Sequence, residues 1–204
     1  MHKKYVLVLA FLLVTSSYGS EPIFKEDYNN YYSSEDLRKS WTGFGVVLSN
    51  EIYYLPTKGN LQSGAACYVA DWKKGSSFSA IYALDDQNLT SAKMVTVTAF
   101  VETNRFVQEV APEPSEFRIR IKGSNGDVWE SRSNQVVSKD TLSDYSFEIS
   151  ESKMVKKMDI TGSGSLLDAL TSVSGLYIVF DNAGKSGVQD FIIDDFTLTS
   201  EANN

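Results

Sequence analysis

The chain has 204 residues, 19 basic and 26 acidic, for a formal net charge of −7, which makes nucleic acid and anionic membrane surfaces poor partners. His2 is the only histidine and Cys67 the only cysteine, so an intrachain disulfide is excluded. If the N-terminal segment is removed, Ser-His-Asp and Cys-His catalysis and imidazole-based zinc sites are excluded too.

The opening MHKKYVLVLAFLLVTSSYGS places Lys3 and Lys4 before an apolar run from Tyr5 to Val14 and then small residues. This is the pattern of a secretory signal peptide, with an apolar run too short to span a bilayer. Ser17-x-Gly19 fits small-x-small cleavage, giving a signal peptide over 1–19 and one domain over 20–204. Loss of the two lysines leaves 17 basic against 26 acidic residues, a net −9. The expected product is exported, secreted, extracellular or periplasmic, with no membrane span.

After the opening segment IFKEDYNNYY (23–32), SEDLRKSW (34–41) makes about two helical turns. Strand patterns follow in AACYVADW (65–72), FSAIYAL (78–84), MVTVTAFV (94–101), FRIRIK (117–122), VWES (128–131), YSFEIS (145–150) and GLYIVFDN (175–182). SLLDALTSV (165–173), with Leu166 and Leu170 four apart, reads as a second short helix. In FRIRIK, Phe117, Ile119 and Ile121 share one face and Arg118, Arg120 and Lys122 the other. Asn125-Gly126 then predicts a two-residue type I′ hairpin. Short strands, frequent turns and little helix predict an all-β, two-sheet sandwich. Long connections at 102–116 and 150–164 favour a jelly roll over a closed up-and-down barrel. Cys67, between Ala66 and Tyr68, is expected to be a buried small hydrophobe. Asn88-Leu89-Thr90 is a glycosylation acceptor pattern, relevant only in a eukaryotic secretory pathway.

The last strand pattern, DFIIDDFTLTS (190–200), carries Asp194 and Asp195 side by side, although aspartate is depleted from strands. On a regular strand the two cannot share a face, and Asp194 falls in register with Ile192, Phe196 and Leu198. Asp194 is therefore the expected buried acid, and a buried carboxylate needs a partner. A metal, a lysine or donors from a neighbouring loop could each serve.

The segment LTSVSGLYIVFDNAGKSGVQDFIIDDFTLTS resembles the closing part of jelly-roll carbohydrate-binding modules and of the wider galactose-binding-like sandwiches, laminin-B-like domains included. IFKEDYNNYY resembles their opening strand, and SWTGFG the early tryptophan that follows it, which assigns Trp41 to the core. The resemblance implies a galactose-binding-like jelly roll whose first and last strands lie side by side around a structural calcium. Carried onto this sequence, its ligands would be Glu26 or Asp27, with Asp194 and less readily Asp195. Lys25 intervenes between the phenylalanine and the acid, which leaves the choice between Glu26 and Asp27 open. Calcium combines carboxylates and carbonyls readily.

A sugar binder needs a flat aromatic face flanked by polar groups. Trp129, expected near Arg118 and Arg120, and Trp72, beside Asp71, Lys73 and Lys74, are the candidates, with a structural role in the core as the alternative for both. The expected function is non-catalytic carbohydrate binding, calcium-stabilised. One alternative is a laminin-B-like adhesion domain with a protein partner. Another is a small jelly-roll lyase or glycosidase, which needs two carboxylates within about 5–10 Å of each other.

Overall fold

The computed structural model describes residues 22–46, 51–59, 63–103, 116–158, 164–181 and 187–200. The signal-peptide pattern over 1–19 lies outside them. The described elements are β1 (Phe24–Glu26), α1 (Ser34–Ser40), β2 (Trp41–Gly45), β3 (Ile52–Leu55), β4 (Ala65–Asp71), β5 (Ser77–Gln87), β6 (Met94–Thr103), β7 (Glu116–Gly123), β8 (Val128–Ser131), β9 (Gln135–Val136), β10 (Ser143–Glu148), β11 (Met154–Met158), α2 (Leu166–Thr171), β12 (Val173–Asp181) and β13 (Val188–Thr199).

The strands form two antiparallel sheets. One is ordered β10-β6-β13-β4-β3 with β1 beside β13, and the other β11-β8-β7-β12-β5-β2 with β9 beside β7. Strands β4 to β7 alternate between the sheets. An up-and-down barrel, whose successive strands are neighbours, cannot do this. The expected two-sheet jelly-roll sandwich is the observed fold. The connection at 150–164 is less irregular than its sequence suggests, because it contains β11, the edge strand beside β8.

An aromatic seam joins the inner faces. Phe191 of the first sheet stands 4.6 Å from Phe180 and 5.0 Å from Phe78 of the second, and Phe117 lies 4.9 Å from Tyr145, measured between ring centroids. Trp41 is fully buried between Tyr28, Tyr68, Tyr82 and Phe196, as the early tryptophan was expected to be. Ser33 and Ser165 cap the two helices, the second through a capping box with Asp168.

The 123–127 hairpin differs from the expected type I′ turn. Gly126 N–H donates to Gly123 O and Gly123 N–H to Asp127 O, and Gly126 alone has positive φ, at 90°. A turn closed by one left-handed glycine makes a longer loop than two central residues would. Its register sets Ile121 opposite Trp129 and Arg120 opposite Glu130.

A bulge interrupts β13. Ile193 opposes Ala99 and Phe196 opposes Val97, so Asp194 and Asp195 together face the single residue Thr98. The extra residue lets Phe191 and Ile193 before it, and Phe196 and Leu198 after it, all point into the core. The expected regular strand, with Ile192 in register with Phe196, is thereby corrected: Ile192 joins Ala65, Cys67 and Phe100 in a smaller cluster beyond the sheet.

Candidate functional site

The far sides of the two sheets differ. Over the centre of the first, Ala65, Cys67, Phe100 and Ile192 are buried, with Leu55, Val69 and Leu142 packed on them. Burial pushes the Cys67 thiol well above its ordinary value, which suits an inert side chain. The outer face of the second sheet presents polar and aromatic groups instead. Its parity puts Thr42 and Phe44 of β2, Ile81 of β5, Tyr177 of β12, Arg118, Arg120 and Lys122 of β7, and Val128 and Glu130 of β8 on that side.

Arg120, Lys122, Val128, Lys157, Met158 and Tyr177 line a groove of about 430 Å³ on this face. Beneath it the Glu130 side chain is 5% exposed and lies 3.0 Å from Arg118 Nε, 2.5 Å from Arg120 Nη2 and 3.4 Å from Lys157 Nζ. Burial opposes ionisation of Glu130, but hydrogen bonds from Arg120 and Arg118 outweigh it and hold the carboxyl below its ordinary value. Arg118 also pairs with Asp181. Tyr177 is half-buried, and burial raises its pKa against the opposing effect of Arg120, so its hydroxyl stays protonated at neutral pH. Phe44, 74% exposed, stands two strands away on the same face.

Of the predicted ligand contacts, Arg118 and Arg120 lie on this face, while the expected surface positions of Trp72 and Trp129 are corrected. Trp72 is 3% exposed, donates Nε1–H to Gln189 at 2.9 Å and packs against Phe78 and Phe191. A 3₁₀ turn over Trp72–Lys74, capped by the Asp71 carboxylate at Lys73 N, carries the indole beneath the sheet and leaves both lysines outside. Trp129 is 7% exposed because its cross-strand partner is Ile121, a core residue, with Lys156 Nζ 6.0 Å above the ring. Sequence reasoning passed over Tyr177 and Phe44. The available signal was an aromatic at the parity opposite to the core residues of its own strand, Leu176, Ile178 and Phe180 for Tyr177.

The four predicted calcium ligands divide into two pairs. Asp27 and Asp195 flank Lys25, whose Nζ lies 3.6 and 3.5 Å from them. Burial of Lys25 lowers its pKa, but Asp195 and Asp27 more than offset this and raise it. Glu26 and Asp194 are buried, 8% and 1% exposed. Glu26 accepts from Tyr28 N–H at 3.0 Å and Tyr31 Oη at 2.9 Å, and Ser63 Oγ donates to Asp194 at 3.3 Å. These oxygens are hard donors of the kind calcium takes. Yet no group of three or more carboxylate, imidazole or thiol side chains gathers among the described residues, and an ammonium already occupies the place between Asp27 and Asp195.

A second cleft, of about 350 Å³, opens at one end of the sandwich and includes Glu148 and Glu151. Glu151 accepts from the N–H of Leu166 at the start of α2, and Glu148 from Ser150 Oγ, so both carboxylates have local structural roles.

No family model and no curated protein matches the chain. Among solved structures it is similar to the family 11 carbohydrate-binding module of the cellulosomal cellulase Lic26A-Cel5E of Clostridium thermocellum, at 14% identity and a TM-score of 0.56 over 91% of this chain and 97% of that one. It is also similar to a family 11 module from the same organism in complex with a β-1,3-1,4-mixed-linked tetrasaccharide, at 12% identity and a TM-score of 0.53 over 81% and 91%. An exo-β-agarase matches at 10% identity and a TM-score of 0.61, over 91% of this chain but 26% of that one. At these identities the likeness is one of fold: the chain has the jelly-roll sandwich of carbohydrate-binding modules.

Proposed function

We propose that the protein is an exported, non-catalytic domain that binds carbohydrate on the outer face of its seven-stranded sheet. The observation that carries the reading is the Tyr177 ring, half-buried in an open groove and flanked by Arg120, Lys122 and Lys157. An aromatic face covers the apolar side of a pyranose, and fixed polar groups bind its substituents. The shared fold with carbohydrate-binding modules supports the reading, as does the signal-peptide pattern of residues 1–19. Binding to a glycan array and to insoluble polysaccharides tests it. Tyr177→Ala is expected to weaken every hit at least tenfold with little change in melting temperature. No hit on a broad array removes the carbohydrate reading in favour of a protein partner.

Structural calcium is a separate proposal, confined to the buried pair Glu26 and Asp194 with backbone carbonyls completing its shell. The ammonium of Lys25 between Asp27 and Asp195 weighs against those two as ligands.

A further inference from the structure

Three cations converge on the groove in a chain whose net charge is −7, and no carboxylate among the described residues lines it. The single charge of Glu130 beneath is shared among Arg118, Arg120 and Lys157. With Asp181 on Arg118, the patch sets two carboxylates against four cations, Lys122 included. Lys122 has no ion-pair partner among the described residues. Glu130 also fixes Arg120: Nε and Nη2 both donate to one carboxylate oxygen, at 3.2 and 2.5 Å, which leaves Nη1 as a positioned donor with no partner among the described residues. Guanidinium groups held in this way suit planar or tetrahedral oxyanions.

The donor count points the same way. The hydroxyls of a neutral sugar both donate and accept, so a groove for them needs acceptors as well as donors. Among the described residues the lining side chains supply donors only, apart from the Tyr177 hydroxyl, because the Glu130 oxygens are already engaged. Resting on the carbohydrate reading above, we propose that the ligand is an anionic polysaccharide. Its carboxylate or sulfate groups sit against Arg120, Lys122 and Lys157 while a sugar ring lies on Tyr177.

Affinity electrophoresis and calorimetry test this with polygalacturonate and alginate as carboxylate polymers, carrageenan and chondroitin sulfate as sulfate polymers, and β-glucan and xylan as neutral ones. Binding to at least one anionic polymer is expected, weakening as salt is raised. Lys122→Glu, which breaks no ion pair among the described residues, should lower it at least tenfold without shifting the melting temperature. Lys39→Glu on α1, where the side chain is 71% exposed, makes the same change in net charge elsewhere and should leave binding intact. The carboxylate and sulfate arms identify the group recognised. Binding to neutral polymers alone overturns the anionic assignment and leaves the carbohydrate reading standing, whereas binding to no polysaccharide overturns both. Equal loss with Lys39→Glu, or equal binding to duplex DNA, shows a non-specific charge effect and also overturns it.

Discussion

Replacing Glu130 with glutamine is expected to lower stability and raise affinity for a polyanion through one charge. Removing one partner from a fully buried ion pair costs about 3–5 kcal/mol. The partners here, Arg118, Arg120 and Lys157, have side chains 20%, 27% and 49% exposed, so water recovers part of their solvation. The isosteric amide also keeps a neutral acceptor for Arg120, which brings the loss down to about 2 kcal/mol. In a domain of this size that lowers the melting temperature by about 4–8 °C. The pH dependence identifies the source. Because the folded pKa of Glu130 is depressed, its contribution is complete above the unfolded value, ordinarily 4.5, and is lost as the pH falls through the folded one. Calorimetric melts of wild type and E130Q should therefore differ at pH 7 and converge in acid below the ordinary glutamate range. Titration at pH 7 should show E130Q binding the anionic polymer more tightly, since the groove gains net positive charge. A melting difference below about 1 °C at pH 7, or one of unchanged size in acid, refutes the electrostatic account.

Trp72→Ala should cost about 3–5 kcal/mol by opening a cavity against Phe78 and Phe191, while polysaccharide binding per folded molecule, read by calorimetry, stays unchanged. A loss of binding in a folded W72A protein would return that indole to the ligand site. Gly126→Ala forces a side chain into a left-handed turn position, at φ 90°, and should cost about 1–2 kcal/mol in urea unfolding; an unchanged midpoint would mean the hairpin closes differently. For calcium, EDTA should lower the melting temperature and Asp194→Asn should abolish that sensitivity, whereas superimposable melts with and without chelator remove the metal.

The fold was legible because its signals are local and repeat along the chain. Alternation such as that of Phe117, Ile119 and Ile121 sets the face of a strand whatever its neighbours are. The similarity of the opening and closing segments to jelly rolls implied the pairing of β1 with β13, which the register of Glu26 with Phe196 realises. The short edge strand β11, MVKKM, was missed because three of its five residues are Val, Lys and Lys in no alternation, and its pairing comes from β8 across a shift in register. At Asp194-Asp195 parity reasoning correctly found that Asp194 must be buried, but for a different cause. The pair forms a bulge, so the strand never has to alternate through both acids, and the loop carrying Ser63 supplies a donor to the inner one.

The binding face was less legible, and the error has a definite physical origin. Trp72 and Trp129 were weighed by the polarity of their chain neighbours, Lys73, Lys74 and the Asn-Gly turn. Which side of a sheet a residue takes is decided by the cross-strand partner, and for Trp129 that is Ile121. Applied consistently, the same alternation that set Arg118 and Arg120 outward in β7 sets Tyr177 outward in β12. Pairing then brings Tyr177 directly opposite Arg120. An aromatic out of phase with the core residues of its own strand therefore marks a candidate platform better than a tryptophan among charges does. Large aromatics in a sandwich bury most of their area by default, and only a break of phase signals that one has been kept out.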